Sequence, residues 1–274
     1  VIESAGGEVH TNEGVEWVEI NNRHVDYVRT KKGNTYQADY YISAIHPCSL
    51  LRLMPENSFP KAYRTRLNSI PNSYSAFSVY IKLKPCTFPY INRSEDFMTR
   101  YVDIWNFGQH NKVWPLGFLF MTPPNEQQGE YADKALVTIP MLYDEVAKWE
   151  ETEVGKRGTD YEAWKEEKAR DLLALIEELH PGFSACVDKI NIASPLTIRD
   201  YYGSKEGSMF GFSKDYKNIA LSQVPVVTKV DNLLLTGQNN GLPGFCGVPL
   251  TAINTVEAIL GQNYILNRIN ECVK

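Results

Sequence analysis

The sequence predicts an α+β protein in which helices and strands alternate and an antiparallel sheet fills the middle of the chain. Three observations indicate this class. Residues 1–46 are rich in strand patterns, Tyr74–Lys84 alternates with a period of two, and a strand, a glycine-rich turn and a helix follow one another within 232–261. With 274 residues, the chain can form one large or two moderate domains.

The first 46 residues predict a β-meander that returns to a parallel sheet. Apolar residues flank the turn signal Asn21-Asn22-Arg23, and a second turn signal follows at 31–34. The run 40–44 is typical of a buried strand. His46-Pro47 then marks a crossover into a second domain, because proline prevents regular continuation.

Strand patterns in the middle of the chain predict an antiparallel sheet. In Tyr74–Lys84 the residues Phe77, Val79 and Ile81 fall on one face. The runs 116–121 and 135–141 indicate further strands.

A long helix is predicted after these strands. Apolar residues recur at steps of three or four from Tyr161 to Leu179, and Pro181-Gly182 ends the pattern. Thr159 and Glu162 have the spacing of a capping box, in which each side chain accepts a hydrogen bond from an exposed backbone N–H.

The composition limits the classes of partner. A net charge of −5 and a pI near 5.6 predict no nucleic-acid binding, which requires a basic surface. Five scattered cysteines, an odd number without close pairs, predict no metal site and a reducing, cytoplasmic location. No apolar run approaches the roughly 18 residues of a membrane span. Residues 113–121 are apolar enough for peripheral membrane contact or, alternatively, for a buried strand.

The glycine-rich turn is the candidate binding motif. After the apolar run 233–235, glycines recur at Gly237, Gly241, Gly244 and Gly247 before an apolar helix pattern from Val248 to Leu260. Glycines let backbone approach a ligand, and the N–H groups at a helix start favour negative charge. A tight structural turn without a ligand is the alternative, because the spacing alone is a weak signal.

Three sequence blocks in a fixed order strengthen the binding interpretation. They are residues 3–44, with a Gly-Gly pair, a hairpin and an Ala-Asp-Tyr-Tyr-Ile-Ser-Ala strand; 194–211, which begins Ser-Pro-Leu-Thr; and 232–261, with Gly237-Gln238. Together they resemble the family of FAD-dependent oxidoreductases that contains phytoene desaturases, carotenoid isomerases and retinol saturases. Gly237-Gln238 resembles the retinol-saturase form.

This resemblance implies a substrate domain joined to part of a glutathione-reductase-like FAD/NAD(P)-binding domain. The implied boundaries are 1–46 and 226–274 for the FAD-binding part and 47–225 for the substrate domain. The residues implied to contact FAD are Val15, Ser43, Ala44, Gly237, Gln238, Gly244, Phe245, Gly247 and Val248.

The first half of the implied FAD site is not found in this sequence. Gly-x-Gly-x-x-Gly, the turn that holds the FAD pyrophosphate in a Rossmann βαβ unit, does not occur. We therefore expect this chain to be a fragment whose N-terminal FAD-binding segment lies on preceding polypeptide. A natural protein that has lost its Rossmann unit is the alternative. We also expect the isolated chain to hold FAD weakly or not at all.

The resemblance implies saturation, desaturation or isomerisation of a conjugated, carotenoid-like or retinoid-like substrate in an apolar tunnel, with NAD(P)H as a possible electron donor. Tyr201 and Tyr202 are candidates for lining that tunnel, although structural packing is the alternative for both. No residue pattern identifies a catalytic acid or base. Two other functions stay open: an amine-oxidase-like or protoporphyrinogen-oxidase-like flavoenzyme, and a non-catalytic binding module.

Overall fold

A computed structural model of the chain describes residues 1–106, 113–124 and 129–272. These residues form two compact units, one comprising Val1–Pro71 with Phe210–Lys274 and the other comprising Asn72–Met209. The units divide the chain after residues 71 and 209, whereas the sequence placed functional boundaries after 46 and 225. The difference arises because residues 47–71 and 210–225 both contribute to the core of the first unit, for example through Leu67 and Phe212.

The N-terminal segment forms the predicted meander. Its strands are β1 Val15–Asn21, β2 His24–Thr30, β3 Thr35–Tyr36 and β4 Tyr41–Ser43. Strands β1, β2 and β3 make an antiparallel sheet in that order, and Asn21 pairs with His24 across the first turn.

Two helices, α1 Pro47–Leu50 and α2 Lys61–Ser69, complete this segment. Between them the chain makes short 3₁₀ turns at Leu51–Leu53 and Glu56–Ser58. Apolar side chains of these helices and turns join the core of the first unit. The core contains Val18, Val25, Leu50, Met54, Phe59, Leu67, Ile70, Phe212, Val224, Val230, Leu233 and Leu235.

The second unit is built on a five-stranded antiparallel sheet. Its strands are β5 Ser75–Leu83, β6 Ser94–Met98, β7 Gly117–Met121, β8 Lys134–Met141 and β9 Val187–Ala193. The order is β6-β7-β8-β5-β9. The predicted inward face of β5 is buried at Phe77, Val79 and Ile81, and the mixed fold with antiparallel sheet is confirmed.

The predicted long helix is present as α3 Thr159–Leu179, which packs against this sheet through Ala169, Leu172 and Ile176. The predicted capping box is wrong. Gly158 occupies the N-cap with φ of 91°, and no side chain caps the helix. The Asp160 carboxylate instead accepts a hydrogen bond from the Trp149 indole at 2.8 Å.

Shorter elements follow α3. Helix α4 Phe183–Cys186 precedes β9, and α5 Pro195–Tyr202 begins at a capping box formed by Ser194 and Thr197. Returning to the first unit, the chain forms α6 Ile219–Ser222, β10 Leu233–Leu235, α7 Gly244–Leu260 and α8 Tyr264–Cys272. Strand β10 pairs in parallel with β4, as the meander predicted, and α7 starts four residues before the predicted Val248.

The stretch proposed for membrane contact is a partly buried strand. Leu116, Phe118 and Phe120 are buried, so within 113–121 the alternative of a buried strand is correct. Among the described residues, no single helix has the length and hydrophobicity of a membrane span. The pair α7 and α8 reaches those limits only when its two helices, between which the chain bends by 118°, are counted together.

Candidate functional site

The carboxyl ends of β4 and β10 meet at one edge of their two-stranded parallel sheet. Tyr41 is in register with Leu233 and Ser43 with Leu235. The Thr236 N–H donates to the Ser43 carbonyl oxygen at 2.9 Å. A Cβ placed on Gly237 would lie 3.7 Å from the Ala44 carbonyl oxygen. The predicted residues Ser43, Ala44 and Gly237 therefore lie together, at the edge where open α/β sheets bind ligands.

A cavity of about 260 Å³ adjoins this sheet. Three of the residues proposed from the sequence, Val15, Ser43 and Ala44, contribute to its wall. The remaining wall is mainly aliphatic and consists of Val18, Val28, Tyr41, Ile42, Ile45, Leu50, Leu53 and Leu233. A concave, mostly apolar surface with a few polar groups is typical of small-molecule sites.

The glycine turn leads directly into the first turn of α7. Gly244 starts the helix with φ of +84°, and a Cβ there would meet no atom within 4 Å, so its constraint is conformational. Gly247 is constrained by space, because a Cβ there would lie 2.2 Å from the Leu242 carbonyl oxygen. Both positions therefore require glycine, for different physical reasons.

Helix α7 packs on the first unit through a narrow stripe of small residues. Gly247, Thr251 and Thr255 are its buried positions, and the Thr255 hydroxyl donates to the Leu235 carbonyl oxygen at 2.9 Å. Its first turns leave large apolar groups in solvent, with Phe245 99% exposed and Leu250 57% exposed. The predicted contact residues Phe245 and Val248 are therefore accessible.

Contacts that the sequence analysis did not identify hold the turn after β10. The Asn239 side-chain oxygen accepts from the Phe212 N–H at 3.1 Å, and the Asn239 carbonyl oxygen accepts from Lys214 Nζ at 3.3 Å. Gly211 must be glycine because a Cβ would lie 2.1 Å from the Asn239 side-chain oxygen. Burial lowers the pKa of Lys214. The pair Asn239-Asn240 before Gly241 was the available sequence signal for a fixed turn.

The start of β1 is fixed by the carboxylate of Glu13. Its Oε1 accepts from Asn34 Nδ2 at 2.6 Å and from the hydroxyls of Thr30 and Tyr36, each at 3.1 Å. These bonds, that from Asn34 above all, hold the pKa of Glu13 below its usual range. Val15, which lines the cavity, follows two residues after Glu13. The hydrogen bonds of Glu13 therefore fix the chain at the rim of the cavity.

The two tyrosines proposed to line a substrate tunnel lie at the end of α5 in the second unit. Tyr201 is 73% exposed and Tyr202 is 76% exposed, so neither is a core residue. The preceding Asp200 accepts from Arg157 and Arg199, and Arg199 also donates to the Tyr143 hydroxyl at 2.9 Å. These contacts fix the helix that carries the tyrosines. Contact of Tyr201 and Tyr202 with substrate stays a prediction.

No three His, Cys, Asp or Glu side chains cluster as a metal site would within residues 1–106, 113–124 and 129–272. The first unit instead offers backbone N–H groups at the start of α7, the mainly aliphatic wall of the cavity beside β4 and the exposed ring of Phe245. Such groups can hold and orient a planar organic molecule.

Comparison with known proteins identifies relatives. The chain is 25% identical to the all-trans-retinol 13,14-reductase of Homo sapiens over 290 residues, which cover 96% of this chain and 47% of the relative. The enzyme of the same name from Rattus norvegicus is 24% identical over 286 residues, with the same coverage. The chain thus spans about half the length of these relatives. No family model matches the chain.

Two oxidoreductases are among the solved structures with a similar fold. An oxidoreductase from Methanosarcina mazei superposes with a TM-score of 0.56 at 14% identity, covering 93% of this chain and 51% of that chain. A putrescine oxidase bound to putrescine gives a TM-score of 0.55 at 14% identity, covering 95% of this chain and 51% of that chain. At this identity the likeness concerns the fold alone. The resemblance drawn from the sequence is confirmed, since the curated homologues of this chain are all-trans-retinol 13,14-reductases.

Proposed function

We propose that this chain is the C-terminal part of a FAD-dependent oxidoreductase that acts on a carbon–carbon double bond of an apolar conjugated substrate. One structural observation carries the proposal. The carboxyl ends of two parallel strands, an apolar cavity beside them and the glycine-rich start of α7 occur in one unit, in a chain related to retinol reductases. The preceding half of the FAD site is proposed to lie on polypeptide before Val1.

The residues present fit such a cofactor. Gly247 allows the turn at Leu242 to lie against the start of α7, and a side chain there would separate the two. Gly244 leaves open space in front of that helix start, where Phe245 is exposed. We propose that Gly237, Gln238, Gly244 and Val248 contact the ring system of FAD and its adjoining chain. Val15 would contact the adenine side, with Ser43 and Ala44 between.

The chemistry of the reaction is supplied by the flavin, which exchanges a hydride when bound. The residues of this chain would bind and orient. Backbone N–H groups in the first turn of α7 point along the helix axis and favour negative charge close to them. Hydrogen bonds of Lys214 and Asn239 fix the turn after β10, which leads to the start of α7. The N–H groups in the first turn of α7 therefore keep a set direction.

The second unit is proposed to bind the substrate. A polyene has few polar groups, so its recognition depends on apolar surface, and Tyr201 and Tyr202 offer such surface on a helix fixed by Asp200. We propose a retinoid-like or carotenoid-like substrate, with NAD(P)H as electron donor, because the relatives act on retinol by name. The cytoplasm is the proposed location, and cell fractionation tests it.

A spectroscopic experiment on the full-length protein tests this function. We expect a flavin absorption band that is bleached by NADPH and restored by all-trans-retinol or a carotenoid. A protein without flavin would contradict the proposal. A flavoprotein that releases hydrogen peroxide with amines and ignores polyenes would instead establish the amine-oxidase-like alternative.

A further inference from the structure

A second cleft in the first unit lies between the 3₁₀ turns after α1 and helix α2. It consists of two adjoining depressions of about 470 and 280 Å³. Glu56, Arg64 and Asn68 line both depressions, which makes them one continuous cleft. None of these residues belongs to the site at the ends of β4 and β10.

Positive charge predominates in this cleft although the chain as a whole carries a net charge of −5. Arg52, Lys61 and Arg64 supply three cations, and Glu56 is the single carboxylate in the lining. Within the part of the chain that the structure describes, neither Arg52 nor Lys61 forms a salt bridge. Arg52 donates to the Ser49 hydroxyl at 3.0 Å, which leaves its charge without a counter-ion.

Arg64 is the central donor of the cleft. Its Nη1 contacts Glu56 Oε1 at 2.9 Å, but the Glu56 side chain is 86% exposed, so this ion pair is weak and easily exchanged. Arg64 Nε is buried and makes no hydrogen bond to any described residue. Because Nε is inaccessible, an anion entering the cleft would be met by the terminal guanidinium nitrogens of Arg64, whose contact with the exposed Glu56 is easily exchanged.

The other lining groups define the size and polarity of the ligand. Thr65 and Ser69 on α2 add hydroxyl groups, and the floor is apolar at Leu51 and Met54. Guanidinium groups bind carboxylate and phosphate oxygens with two parallel hydrogen bonds, more strongly than neutral donors do. The lining therefore matches an oxyanion carried by a small organic molecule.

We propose that this cleft is a binding site for a small molecule bearing a phosphate or carboxylate group, with Arg64 as its main ligand and Arg52 and Lys61 as supporting cations. The site is separate from the proposed flavin function and does not depend on it. Neither the glycine turn nor the exposed tyrosines contribute to it.

Titration of the full-length protein with inorganic phosphate, and separately with acetate, tests the site by NMR chemical-shift changes or calorimetry. We expect saturable binding of at least one of the two anions. Arg64→Gln should weaken this binding about tenfold or more, because it removes a charged, bidentate donor. Arg52→Gln changes a more exposed side chain and should weaken it several-fold. It also provides an answer if Arg64→Gln fails to fold.

Lys217→Gln is the matched control, since it removes one exposed cation of the same unit outside the cleft. This variant should bind like the wild type. Phosphate binding without acetate binding would assign phosphate compounds as ligands, and the reverse would assign carboxylates. Absence of saturable binding of both anions, or equal weakening by Lys217→Gln and Arg52→Gln, would overturn the proposal.

Discussion

Helices α3 and α7 are the two longest helices among the described residues, and they differ in what they bury. Helix α3 buries Leu172 and Ile176 completely against the five-stranded sheet. Helix α7 buries only small residues, and Leu250 and Phe245 extend into solvent. Helix α3 thus contributes large side chains to a closed core, whereas α7 leaves its large apolar side chains exposed.

The two helices should therefore respond differently to substitution, α3 in the stability of the chain and the start of α7 in ligand binding. Substitutions of the buried side chains of α3 should lower the free energy of unfolding, because these side chains are closely packed against the sheet. Substitutions of the exposed side chains at the start of α7 should change ligand binding more than the stability of the chain, because those side chains have few neighbours to lose.

The largest expected effect is the loss of a core side chain in α3. Leu172→Ala removes a fully buried leucine, and we expect the free energy of unfolding to fall by about 2–5 kcal/mol. Urea denaturation followed by circular dichroism measures the change. A loss below about 1 kcal/mol would show that α3 is not closely packed on the sheet.

A smaller effect is expected where the glycine turn meets α7. Gly247→Ala places a Cβ 2.2 Å from the Leu242 carbonyl oxygen, and the forced shift should cost about 1–3 kcal/mol. The same denaturation experiment measures it. Because alanine is otherwise favoured over glycine inside a helix by about 1 kcal/mol, a stabilised variant would contradict the close contact between turn and helix.

Glu13 should make stability at the cavity rim depend on pH. Its folded-state pKa lies below the ordinary value, so its stabilising effect is complete above the ordinary pKa and is lost as the pH falls through the lowered one. Glu13→Gln should therefore be less stable than the wild type at neutral pH, and the two should converge at acid pH. Thermal unfolding across that range compares them. A difference that stays constant with pH would contradict the assigned role of the carboxylate.

The smallest effect is expected on the exposed side of α7. Leu250→Ala is the same chemical change as Leu172→Ala, but Leu250 is 57% exposed. Its effect on the unfolding free energy of this chain should be within about 0.5 kcal/mol. A cost comparable with that of Leu172→Ala would remove the contrast between the two helices.

Local periodicity predicted most of the fold correctly. The alternation in 74–84 and the three-to-four spacing in 161–179 identified β5 and α3, because each pattern reflects one buried face. The capping box failed for a local reason. Helix α3 begins one residue earlier than the box requires, so Gly158, which has no side chain to accept a hydrogen bond, takes the N-cap position in place of Thr159.

The candidate site was predicted unevenly. Glycine spacing indicated the turn at 237–247, and the structure brings Ser43, Ala44 and Gly237 together there. Lys214 was missed because its contact with Asn239 joins positions 25 residues apart. The oxyanion cleft was missed for a similar reason, since Arg52 and Arg64 carry no motif and are combined only by the packing of α2.

The central claim is that the start of α7 holds a flavin ring, and the flavin content of the purified full-length protein tests it most directly. Gly244→Ala and Gly155→Ala both add a methyl group to open space at a positive φ, +84° and +77° respectively. Each should therefore cost about 1–2 kcal/mol of backbone strain. The account predicts that Gly244→Ala loses most of its flavin while Gly155→Ala retains it. Equal flavin content in the two variants and the wild type would contradict the claim.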